Sequence, residues 1–75
     1  MKKLLEFLVK NITGSDEFTV NEQTNDNFIN YSIKTKPENM GLLIGKGGMT
    51  IKTIRNLLRV RATLEKKGVS VSIEE

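Results

Sequence analysis

The stretch Gly41-Leu42-Leu43-Ile44-Gly45-Lys46-Gly47-Gly48-Met49-Thr50-Ile51 decides the fold, since it reads as a short helix, a glycine loop and the start of a longer helix. Four of the six glycines in the 75 residues fall inside it. Glycine costs conformational entropy on folding, so clustering it makes sense where backbone turns sharply or approaches something closely. Successive N–H groups beside a helix N-terminus, next to a lysine, form a ready site for an anion such as phosphate.

Spacing separates the glycine motifs that compete here. A nucleotide P-loop needs four residues between its first glycine and Gly-Lys, followed by Ser or Thr for magnesium. Gly41 and Gly45-Lys46 are separated by three, and Gly47 stands where the hydroxyl belongs. A dinucleotide fingerprint starting at Gly45-Lys46-Gly47 would need glycine at position 50, which is Thr50, and a larger domain around it. What remains is Ile44-Gly45-Lys46-Gly47-Gly48-Met49-Thr50-Ile51, the pattern apolar-Gly-x-x-Gly-x-x-apolar.

Outward from the loop, Pro37 and Glu38 open the preceding helix, which runs to about Leu43 and places Met40, Leu43 and Ile44 in a core or groove. The following helix runs from Gly48 to about Lys67, and Gly68 ends it. At 100° per residue, Ile51, Ile54, Leu58 and Ala62 share one side, and Lys52, Arg55, Arg59 and Lys66 form a basic stripe beside them. Leu57, Val60 and Leu64 point elsewhere, so this second apolar side should pack on the first helix or on a second chain. Residues 2–13 form an amphipathic helix with Leu4, Leu5, Leu8, Val9 and Ile12 inward, and Gly14 is a left-handed cap. Alternating residues mark half-buried strands over 17–23 and 28–35, with Thr24-Asn25-Asp26-Asn27 as the hairpin turn, and Val69 to Ile73 as a last strand.

Composition narrows the function classes. With no cysteine and no histidine, the chain lacks disulfides, thiolate nucleophiles, imidazole bases and the usual zinc ligands, which fits a reducing, cytoplasmic setting. No cofactor is expected. The nine carboxylates show no catalytic spacing, so an enzyme is not expected either. The basic and apolar start resembles a leader only superficially, because Glu6 and Lys10 interrupt it, and no membrane association is expected. The net charge of +3 favours an anionic partner such as nucleic acid.

The order helix, strand, strand, helix, glycine loop, helix, strand resembles the type II, prokaryotic form of the KH domain over the whole chain, residues 1–75 as one domain. The resemblance implies an α+β fold in which a three-stranded mixed sheet carries three helices on one face. It implies single-stranded RNA as ligand, with the Gly-x-x-Gly loop holding about four nucleotides by their backbone. Mapped onto this chain, Gly45 and Gly48 let backbone approach phosphate, Lys46 supplies charge, and Gly47 keeps the loop small. Ile44 and Ile51 shape the groove, and Ile33 or its neighbour Lys34 on the second strand reaches base edges. Lys52, Arg55 and Arg59 touch phosphates beyond the loop. Similarity to small free-standing bacterial KH proteins further implies a role as RNA chaperone or post-transcriptional regulator, and a homodimer or a heterodimer with a longer KH-containing protein. Single-stranded DNA stays open as a ligand. The competing function class is a protein-interaction module whose nucleic-acid groove is unused, against which the intact Gly-Lys-Gly-Gly argues.

Overall fold

In the computed structural model, which describes residues 1–74, the expected order appears as α1 (Lys2–Thr13), β1 (Phe18–Asn25), β2 (Phe28–Thr35), α2 (Pro37–Ile44), α3 (Met49–Leu64) and β3 (Gly68–Glu74). The strands form one sheet in the order β1-β2-β3. β1 and β2 are antiparallel, whereas β2 and β3 are parallel, with Phe28 opposite Gly68 and Lys34 opposite Glu74. Parallel neighbours need a crossover rather than a tight turn, and α2, the glycine loop and α3 provide it.

Alternation along β2 turns Ile29, Tyr31 and Ile33 to one face, where they are buried with Val20 of β1 and Val71 of β3. Leu5 and Val9 of α1, Leu43 of α2 and Ile51, Ile54 and Leu58 of α3 close over them as a single cluster. The other face of the sheet carries Asn21, Asn30, Lys34 and Ser72, all exposed, so all three helices lie on one side. The core is the α+β arrangement expected of a type II KH fold. Tyr31 is the one polar side chain in this layer. Burial, reinforced by a hydrogen bond to the neighbouring Glu22 carboxylate, pushes its phenol well above the ordinary value, so it stays a neutral donor.

Local signals account for the boundaries. Gly14 caps α1 at φ 69°, ψ 18°, its N–H donating to Lys10 at 2.8 Å. Lys36 is extended before Pro37, as a residue preceding proline prefers, and its ammonium pairs with Glu17 at the start of β1. Two boundaries and one inward position differ from the sequence reading. Strand β1 continues through Thr24 and Asn25, leaving a two-residue turn, Asp26-Asn27, in which Asp26 takes a φ of 55° that aspartate tolerates. Leu4, expected inward on α1, lies at the rim of its apolar face and is exposed.

The third difference is at the end of α3, which stops at Leu64, short of Lys67. The Lys67 N–H donates to Ala62 at 2.8 Å and the Lys66 N–H to Thr63 at 3.1 Å, closing a Schellman motif with Lys66 at φ 57°. Lys66 therefore leaves the basic stripe of the helix. Gly68 does not cap the helix. It opens β3, and a Cβ there would meet the Phe28 ring at 2.5 Å.

Among the described residues the outer apolar side of α3 is left uncovered: Leu57, Val60 and Leu64 are 46%, 63% and 75% exposed. The expected packing of this side on the first helix does not bury them, and none joins the core cluster.

A left-handed lysine costs roughly 1 kcal/mol that a glycine avoids, offset in part by the greater freedom of glycine in the unfolded chain. Lys66→Gly is therefore expected to raise stability by about 0.5 kcal/mol, read as a higher urea midpoint at unchanged slope.

Candidate nucleic-acid interface

The glycine loop is built from backbone conformations that side chains resist. Gly45 ends α2 at φ 75°, ψ 172°, in a region reached almost solely by glycine, and a Cβ there would be driven into the side chain of Thr50. That collision arises because the chain doubles back, laying the end of α2 against the first turn of α3. Gly47 and Gly48 are both left-handed, at φ 66° and 77°, with open space where a Cβ would stand. Lys46 lies between Gly45 and Gly47, exposed. Gly48 is the N-cap of α3, so the loop lies at the positive end of that helix, whose first turn contains no acidic residue.

Helix α3 carries Lys52, Arg55, Arg59 and Arg61 and no carboxylate over its 16 residues. Among the described residues, Lys46, Lys52, Arg55 and Arg59 make no ion pair, whereas Arg61 is held by Glu65 at 3.2 Å. Arg55 and Arg59 lean toward β3, which is an edge strand with its outer hydrogen-bonding groups free of any strand partner. The Arg55 Nε donates to the Val71 carbonyl at 3.3 Å. With Val69, Ser70 and Val71 the two arginines line a shallow cleft of about 200 Å³ between helix and strand.

The expected residues divide accordingly. Gly45, Lys46, Gly47 and Gly48 form the loop at one end of the molecule, and Lys52, Arg55 and Arg59 continue from it along one side of α3. Ile44 is 40% exposed at the end of α2, beside the loop, whereas Ile51 is buried and belongs to the core. Ile33 is fully buried, and Lys34 stands on the far face of the sheet, so neither joins this group. The strand that borders the cations is β3, and the sequence reading had not assigned Val69, Ser70 and Val71 to the site. Their alternation was legible as a strand; their position at the open edge beside α3 depends on the parallel pairing with β2.

A helix, a Gly-x-x-Gly loop and a second helix, laid over a mixed sheet with the second helix flanking an edge strand, define a KH domain of the type II topology. The family model described as "KhpA/KhpB, KH domain" matches residues 2–73. The chain belongs to that family. Relatives called RNA-binding protein KhpA include those of Clostridium acetobutylicum, 40% identical over 97% of this chain and 99% of that protein, and Clostridium perfringens, 38% identical over the same shares. The relative of the same name from Chlamydia trachomatis is 37% identical over 100% of this chain and 97% of its own length. No solved structure gives a significant match.

The loop geometry separates its glycines by experiment. Gly45→Ala is expected to cost about 3 kcal/mol, from forbidden backbone and the clash with Thr50, while Gly47→Ala should cost about 1 kcal/mol. Urea denaturation of the two variants side by side gives the order.

Proposed function

We propose that this chain binds single-stranded RNA in the groove that begins at Gly45-Lys46-Gly47-Gly48 and continues between α3 and the edge of β3. The observation that carries this reading is a run of cations with no ion-pair partner among the described residues, Lys46 in the glycine loop and Lys52, Arg55 and Arg59 on the helix without carboxylates that follows it. The name shared by its relatives, RNA-binding protein KhpA, agrees with it.

In this reading the left-handed backbone of Gly47 and Gly48 removes side-chain bulk, so a phosphate reaches the loop and the N-terminus of α3 together. Lys46 adds a mobile charge, and Ile44 shields the contact with apolar surface. Lys52, Arg55 and Arg59 neutralise successive phosphates, and the free edge of β3 offers backbone donors and acceptors to bases. Lys34 takes no part from its place behind the sheet. Phosphate contacts position a strand without reading it, so one such domain discriminates weakly among sequences. That suits an RNA chaperone or post-transcriptional regulator acting in the cytoplasm. Nothing in the groove demands a 2′-OH, and single-stranded DNA is the natural competitor in any assay.

Weak specificity in one domain is overcome by pairing domains, which raises avidity without new contacts. Thr53, Leu57, Val60 and Leu64 follow a 4-3-4 spacing on the outer side of α3, the seam of a two-helix contact, and we assign it to self-association. A longer KH-containing protein is the alternative occupant.

Both readings are tested by substitution. Lys46→Asp with Gly47→Asp keeps the fold, since the loop is exposed and aspartate accepts a left-handed backbone. It is expected to lower affinity for a short single-stranded RNA at least tenfold in fluorescence anisotropy, and to reduce the salt slope by about 0.7 for each lost phosphate contact. Unchanged affinity in the folded variant would remove the loop from the mechanism, and no binding by the wild type would favour the interaction module. Leu57→Asp or Leu64→Asp, at exposed positions, should leave the circular dichroism spectrum intact and convert a dimer to a monomer in sedimentation. A wild type that sediments as a monomer at all concentrations would refute the seam as a homodimer contact.

A further inference from the structure

Four aromatic side chains are present: Tyr31 is buried, Phe18 partly buried, Phe7 lies on α1, and Phe28 is 44% exposed at the distal end of the proposed groove. Phe28 starts on the central strand, where a ring would ordinarily stay behind its neighbour. The neighbour in register is Gly68, which has no Cβ, and the ring lies across it within 2.5 Å of where a Cβ would be. The missing side chain lets an aromatic face reach the open edge of β3. There it lines a second cleft, of about 450 Å³, together with Thr63, Arg59, Lys67 and Gly68. Arg59, Val69 and Ser70 border both clefts, so the two are continuous.

The helix rise of 1.5 Å per residue puts Thr63 about 21 Å from Met49 at the loop, so this second cleft lies well beyond the part of the groove that the loop commands. It combines an exposed ring with two cations, the pairing that sequence-tolerant single-strand binding uses to stack bases and follow phosphates. Glu65 tempers one of them, standing 4.0 Å from the Lys67 ammonium while also holding Arg61. Arg59 has no carboxylate partner among the described residues.

Resting on the RNA-binding reading above, we infer that Phe28 is a stacking platform for one further base at the end of the groove away from the glycine loop, with Arg59 and Lys67 holding the phosphate beside it. The platform extends the bound strand past the stretch held by the loop. It favours no particular base, because every base has a π-face.

The ordinary alternative is that Phe28 only covers Gly68 at the end of the hairpin, a task leucine performs as well. Phe28→Leu therefore discriminates, and its melting curve verifies the fold. Affinities of wild type and variant are measured for a four-nucleotide and an eight-nucleotide single-stranded RNA, with 2-aminopurine placed at either end of the longer one. The wild type is expected to bind the eight-mer more tightly, to quench 2-aminopurine at one end, and to lose about tenfold on the eight-mer in Phe28→Leu with the four-mer unaffected. Equal eight-mer affinity and undiminished quenching in Phe28→Leu overturn the platform while leaving the groove intact. Absence of binding by the wild type to either RNA overturns the groove and the platform with it.

Discussion

Burial of one stripe of α3, Ile51, Ile54, Leu58 and Ala62, against the sheet is the constraint on which the rest of the structure depends. Once that stripe faces inward, the rotation of the helix is set, and Arg55 and Arg59 fall a fraction of a turn away, over the edge of β3. The same rotation sends Leu57, Val60 and Leu64 outward into solvent. One packing decision thus produces a basic wall beside an open strand edge and an apolar seam on the opposite side. The N-terminus of α3 meets the glycine loop, so Lys46 stands beside the positive end of that helix.

The loop obeys a second, steric constraint. Gly45 is needed because α2 and α3 come so close that Thr50 occupies the space of a Cβ, while Gly47 and Gly48 are needed only for their left-handed backbone and have open space around them. The first is a requirement of folding and the others leave surface clear for a visitor. That division matters in a domain of this size. Native stability is roughly 0.05–0.15 kcal/mol per residue, so a 75-residue chain without disulfides has only a few kcal/mol to lose. A single forbidden glycine substitution would consume a large part of it.

Gly68 shows how a residue can be assigned correctly as special and for the wrong reason. From sequence it looked like a helix stop, since glycine after a periodic run is the commonest C-cap signal. The chain instead closes α3 with Lys66 in the left-handed position and uses the glycine two residues later to make room for Phe28. Propensity ranks Gly above Lys for the cap, but the register of β2 with β3 places Phe28 against position 68, and tertiary contact prevailed over local preference.

The sequence by itself determined the order of elements, the inward stripes of α1, β2 and α3, the hairpin and the glycine loop, because each is written in the spacing of neighbouring residues. It also marked Lys52, Arg55, Arg59 and Lys66 as a basic stripe on the helix that follows the Lys46 loop, of which Lys66 falls beyond the end of α3. Only the tertiary structure decided which strand borders that group. The resemblance had pointed to Ile33 or Lys34 on the second strand; that strand is central, with Ile33 buried under the helices and Lys34 on the far face. Val69, Ser70 and Val71 gained their place in the same step, as did Phe28 through the gap at Gly68. Strand order and register join residues about forty positions apart, and no local pattern carries that information.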